Sequence, residues 1–101
     1  MTSEEIEKII KDEIGDKVDT TNLHGVNLAG CLVKPVKQKY ISAFDNSLTF
    51  YLWTVLVESE DGYRIFFDEE ENSFGLATKS KSDDLMYLGN YGTFLETLEG
   101  M

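Results

Sequence analysis

The chain has 101 residues, 42% of them hydrophobic and 12% aromatic, with nineteen Asp and Glu against nine Lys and Arg for a formal charge of −10. That length and apolar fraction suit one packed domain over residues 1–101 and argue against two domains or intrinsic disorder. The charge repels phosphate backbones and anionic lipid, so neither direct nucleic-acid binding nor membrane binding is expected. No apolar run reaches the roughly 18 residues a bilayer span needs. The acidic start Met1-Thr2-Ser3-Glu4-Glu5 is unlike a secretory signal, and Cys31 alone can form neither an internal disulfide nor a cysteine zinc site. A cytoplasmic protein is expected.

In chain order, Thr2 and Glu5 fit a capping box, and Ile6, Ile9, Ile10 and Ile14 recur at helical spacing before Gly15, which predicts an amphipathic N-terminal helix. Glu4 with Lys8 and Glu7 with Lys11 give that helix a solvated back. Leu28 to Val36 reads as a first strand, and Pro35 places it at an edge or a bulge because proline cannot donate to a ladder. The lysines Lys34, Lys37 and Lys39 then read as protection of an exposed edge. Ser47 to Glu58 is the densest β signal in the chain. Asp61-Gly62 predicts a hairpin turn into a strand from Tyr63 to Asp68, with Leu56 opposite Phe67 and Val57 opposite Phe66. A turn near Glu71-Asn72 returns a strand from Phe74 to Thr78, with Phe67 opposite Leu76. Leu85 to Leu88 suits one more strand. Gly89-Asn90-Tyr91-Gly92 turns the chain, and Thr93 with Glu96 forms a second capping box before Phe94, Leu95, Leu98 and Met101.

The fold class is therefore α+β: an N-terminal helix, an antiparallel meander sheet of four to five strands and a short C-terminal helix. On the predicted register, one sheet face carries Leu48, Phe50, Leu52, Leu56, Tyr63, Ile65, Phe67, Phe74 and Leu76. The other carries Tyr51, Trp53, Val55, Val57 and Phe66 beside Gly75 and Ala77, and is too apolar to face water. Either one helix covers each face, or both cover one face and a second copy covers the other.

Nothing in the sequence marks a catalytic residue, a metal or a cofactor. His24 and Cys31 are each the only residue of their kind, at a spacing that does not indicate a dyad. The run Asp68-Glu69-Glu70-Glu71 lacks the ligand spacing of a calcium loop, and the glycines form no phosphate loop or dinucleotide fingerprint. Charge is uneven, however. From Glu58 onward there are eleven acidic residues against Arg64, Lys79 and Lys81, a net of −8. Arg64, the only arginine, is placed by the predicted register on the Trp53 and Phe66 face. There it either clamps a carboxylate or phosphate or pairs with Glu58 or Asp68.

The segment Phe74-Gly75-Leu76-Ala77-Thr78, followed by Leu88-Gly89-Asn90-Tyr91-Gly92-Thr93-Phe94-Leu95-Glu96-Thr97-Leu98-Glu99-Gly100-Met101, resembles the ending of a family of small, stand-alone, uncharacterised bacterial proteins. Its motifs are turn and helix-packing residues, so the resemblance implies a shared fold and no activity. Size, acidity and element order are also similar to immunity proteins that neutralise bacterial toxins, an analogy of composition.

Three functional readings follow. The first is a small acidic interaction module, of immunity-protein or inhibitor type, that docks a basic protein through Glu58, Glu60, Asp61, Glu69, Glu70 and Glu71, with Tyr51 and Trp53 as anchors. The second is a small anionic-ligand-binding domain, or a modest enzyme, with a cleft near Arg64 lined by Trp53, Tyr87 and Tyr91. The third is a homodimeric structural protein.

Overall fold

The computed structural model describes residues 1–14, 32–45, 47–58, 62–80 and 84–99. Helix α1 (Ser3–Ile14) leads into strands β1 (Leu32–Ser42), β2 (Thr49–Val57), β3 (Arg64–Asp68), β4 (Ser73–Lys79) and β5 (Leu85–Gly92), and helix α2 (Phe94–Glu99) follows. Both capping boxes are formed. The Thr2 amide donates to Glu5 Oε1 and the Glu5 amide to Thr2 Oγ1, each at 3.2 Å. The Thr93 amide donates to Glu96 Oε1 at 3.2 Å and the Glu96 amide to Thr93 Oγ1 at 3.1 Å. Gly92, at φ 128°, turns the chain into α2 through a conformation that L side chains rarely adopt.

The α+β class and element order agree with the sequence, but the sheet is a closed barrel in the order β1-β2-β3-β4-β5, where an open meander was expected. Four neighbouring pairs are antiparallel, and β1 closes the ring by pairing parallel with β5 through Tyr40↔Leu85, Ile41↔Met86 and Ser42↔Tyr87. The first strand therefore lies later than Leu28–Val36. Pro35 is buried where the β1–β2 register shifts, between Leu32 and Val36. Closure engages only Tyr40–Ser42 of β1, so the stretch that carries Lys34, Lys37 and Lys39 pairs with β2 on one side and has no described strand on the other.

Closure explains how two apolar faces are satisfied by one small chain. Tyr40, Leu52, Phe66 and Ala77 form a buried cluster, with Phe50, Leu85 and Tyr87 packed on it, so every strand contributes to the barrel interior. The opposite parity of β3 and β4, with Ile65, Phe67, Phe74 and Leu76, joins Ile6 and Ile10 of α1 and Phe94 and Leu98 of α2 in a second cluster outside the barrel. Both helices thus cover one face, and the sheet covers the other by curling on itself. The helices are also joined directly, because both carboxylate oxygens of Glu13 accept the Phe94 amide at 3.1 Å.

The β2–β3 register also differs from the expected one. Trp53 pairs with Phe67 and Thr54 with Phe66, but Leu56 pairs with Ile65 and Val57 with Arg64, so one residue is inserted between Thr54 and Leu56. A bulge of this kind reverses the side-chain parity along a strand. Leu52 and Thr54 accordingly face inward with Phe66, whereas Leu56 faces outward with Ile65. Trp53 and Arg64, expected on one face, are on opposite sides of the sheet wall. The β3–β4 register is shifted too: Phe67 meets Phe74 where Leu76 was expected, with Asp68 opposite Ser73.

Candidate functional site

At one mouth of the barrel the ends of β2 and β4 meet the starts of β3 and β5. Val57, Arg64, Lys79 and Leu85 mark that rim, and with Gln38 and Thr54 they line a hollow of about 670 Å³. Barrel mouths are recurrent ligand sites because the closed sheet supplies rigid walls and leaves one end open.

Arg64 is the first residue of β3, paired with Val57 on one side and Ala77 on the other. It is only 8% exposed. Among the described residues its Nη1 is buried without a hydrogen-bond partner, and Arg64 makes no ion pair. Arginines at such depth ordinarily rest on a carboxylate. A guanidinium cannot escape by losing its proton, and a buried donor left unmade costs about 1–3 kcal/mol, more when charged. The pocket wall therefore holds a cation whose Nη1 lacks an acceptor among the described residues.

A hydrogen-bonded chain fixes the polarity of the adjoining wall. The single Thr54 hydroxyl proton is donated to Gln38 Oε1 at 2.5 Å, so Thr54 Oγ1 is left to accept from the Tyr40 hydroxyl. With Oε1 occupied, Gln38 keeps its amide NH₂ as a further donor at the pocket. Burial raises the pKa of Tyr40, against the smaller opposing pull of the Thr54 hydrogen bond and the Arg64 charge, and so holds the phenol protonated as the first donor of the chain.

Lys34, Lys39 and Lys79 also line the hollow, and Asp84 is the one acidic residue among its described lining. Lys34 lies 3.7 Å from Glu4 across an exposed contact. In a chain of charge −10, this concentration of cationic side chains opposes the overall field.

The other residues singled out from the sequence lie apart from this mouth. His24, Cys31, Glu60 and Asp61 fall outside the described residues. Tyr51, Asp68, Glu69 and Glu70 come together around a second hollow of about 720 Å³, with Lys37 among them. There Glu69 is engaged internally, accepting from Lys37 Nζ at 2.8 Å and from Trp53 Nε1 at 3.3 Å, with the N-terminal amine 3.5 Å away. The Lys37 hydrogen bond, followed by that of the Trp53 indole, holds the Glu69 carboxyl below its usual range. Glu70 and Glu71 are exposed, Glu58 is half-buried with an interaction of its own, and Tyr51 is 65% exposed.

Trp53 packs on the outer cluster with α1 and α2, on the far side of the sheet from Arg64. Tyr87 packs inside the barrel against Phe50 and Phe66 at centroid separations of 4.6 and 5.4 Å, and Tyr91 is exposed towards the end of β5. Of the four residues proposed for an anion cleft, Arg64 alone lines the hollow at the mouth. Gln38 and Thr54 were not singled out. The one signal for them is the alternation Val36, Gln38, Tyr40, Ser42, which gives Gln38 and Tyr40 the same side of β1.

No group of three or more His, Cys, Asp or Glu among the described residues could hold a metal ion, and no helix among them is long and apolar enough to cross a membrane. No family model matches the chain, and no curated protein or solved structure matches it.

Proposed function

We propose that the protein binds a small anion in the mouth of its barrel, with Arg64 as the counter-ion. The observation that carries this reading is the buried Nη1 of a guanidinium that lines an open cavity and has no hydrogen-bond partner among the described residues. The guanidinium supplies charge and a planar pair of donors, and the Gln38 amide supplies a neutral donor beside it. Lys39 and Lys79 raise the local concentration of anions at the rim. Calorimetric titration with acetate and with inorganic phosphate at constant ionic strength tests the reading. Saturable binding that weakens roughly tenfold or more in Arg64→Met is expected, since hydrogen bonds to a charged group contribute about 1.5–3 kcal/mol. Absence of binding by both anions overturns it.

A second reading, docking of a basic protein, has the exposure of Tyr51 beside Glu70 in its favour. Net charge then steers the encounter while Tyr51 anchors it. Its test is co-purification from native cells at low and high salt, compared with a Tyr51→Ser, Glu70→Gln, Glu71→Gln triple variant. A basic partner released by salt and lost from the variant supports docking, and retention of the same partner by the variant removes it.

A further inference from the structure

We infer that the anion taken at Arg64 is the head of an aliphatic amphiphile carrying a single charge, such as a medium-chain carboxylate, whose hydrocarbon body lies along Val33, Val36 and Leu85. The inference rests on the anion-binding reading and adds the class of ligand.

Its first support is the order of chemistry with depth. Arg64 is 8% exposed, whereas Val36 and Val33, which line the same hollow from β1, are 49% and 39% exposed. A ligand entering head first places its charge on the cation and leaves its remaining atoms against valines that otherwise face water. Covering such apolar surface removes it from water, which is favourable.

A second support is the kind of wall. The apolar lining consists of Val33, Val36, Ile41, Val57 and Leu85, and no aromatic ring stands among the described lining residues. Nucleobases and aryl groups are ordinarily held by ring stacking, and the described wall offers no ring. Aliphatic side chains instead match an aliphatic body.

The third support concerns charge number. Asp84 lies in the lining and Lys34 is already close to Glu4, so the cationic excess is smaller than the count of lysines. The chain as a whole carries −10, which disfavours a ligand bearing several negative charges. One charge on Arg64, with a donor from Gln38, meets the site's needs.

The test compares octanoate, butanoate, 1-octanol and adenosine monophosphate on the full chain by calorimetry, at constant ionic strength and below the micelle concentration of octanoate. The expected result is octanoate binding more tightly than butanoate by about tenfold or more, because each fully buried methylene contributes roughly three- to fourfold. Octanol and adenosine monophosphate should fail to compete. Val36→Ser, at an exposed position where folding is not threatened, should weaken octanoate by roughly threefold to tenfold. Equal affinity for octanoate and butanoate overturns the aliphatic assignment while leaving the anion site standing, as does tighter binding of adenosine monophosphate. Octanol binding as well as octanoate overturns the anion site itself, and with it this inference.

Discussion

Arg64 and Ala77 face each other across the β3–β4 ladder with both side chains on the inner side of the barrel, Ala77 fully buried and Arg64 8% exposed. A very small side chain thus stands opposite a long cationic one, and the guanidinium occupies space at the mouth without an acceptor for Nη1 among the described residues. If Arg64 serves a ligand, then it is a cost to the folded state. Arg64→Met keeps much of the apolar stem and removes the orphaned Nη1, so urea unfolding should show stability unchanged or raised by about 1 kcal/mol. A loss of more than about 1 kcal/mol would mean that the guanidinium holds the fold together.

The Tyr40–Thr54–Gln38 chain makes a separate prediction. Thr54→Val leaves the buried Tyr40 hydroxyl without its partner and should cost about 1–3 kcal/mol. In the double variant Tyr40→Phe, Thr54→Val both polar atoms are gone, and the loss should be smaller than the sum of the two single losses. A double-mutant cycle by chemical denaturation measures the difference, and strict additivity would show the two hydroxyls to be uncoupled.

Gly75 is required by close approach. A Cβ there would overlap the Gly89 carbonyl oxygen of the neighbouring strand and the edge of the Phe66 ring, which lies over Gly75 from the opposite ladder position. Because a backbone atom is one of the two obstacles, relief requires β4 and β5 to separate. Gly75→Ala should therefore destabilise by about 3 kcal/mol, read as a lower urea midpoint.

Glu69 gives a pH dependence with a defined sign. Its carboxyl is held below the ordinary value of 4.5, first by the Lys37 hydrogen bond and then by the Trp53 indole. A carboxylate with a lowered folded-state pKa contributes stability that is fully present above its unfolded value and disappears as pH falls through the folded one. In Lys37→Met the Glu69 titration midpoint, followed by carboxyl-carbon NMR, should move upward towards the ordinary value. An unmoved midpoint would show that Lys37 is not the main cause.

The contact between Glu13 and Phe94 joins the end of α1 to the start of α2. A negative charge is favourable at the N-terminus of a helix, where the first amides lack partners. Glu13→Ala should cost about 1 kcal/mol in urea unfolding, and Glu13→Gln, which keeps an acceptor, should cost less. Equal losses would assign the effect to charge alone.

Much of this architecture is legible in the residues. Ile6 and Ile10 announce the buried side of α1, Thr2 with Glu5 and Thr93 with Glu96 announce the two helix starts, and the β-rich run before Glu58 announces β2. What escapes a local reading is any feature that depends on distant strands meeting. The parallel closure of β1 on β5 carries no turn signal, since the pairing Tyr40↔Leu85 joins residues far apart in sequence. The bulge after Thr54 lies within a uniformly β-prone run, and no proline or glycine betrays it. That one inserted residue places Trp53 and Arg64 on opposite sides of the sheet. Arg64 could be singled out by being the only arginine, but the pocket around it could not, because Gln38, Thr54 and Leu85 converge only when the barrel closes.

In the proposed function Arg64 takes an anion at the barrel mouth. Amide and side-chain NMR spectra of the nitrogen-15-labelled protein, recorded during titration with octanoate at constant ionic strength, test it most directly. The expected result is a saturable shift of the Arg64 Nε–H resonance together with the Gln38 side-chain amide, while the Trp53 indole N–H, on the outer side of the sheet and bonded to Glu69, stays in place. A stationary Arg64 resonance, or shifts at Trp53 and Tyr51 in its stead, would contradict it.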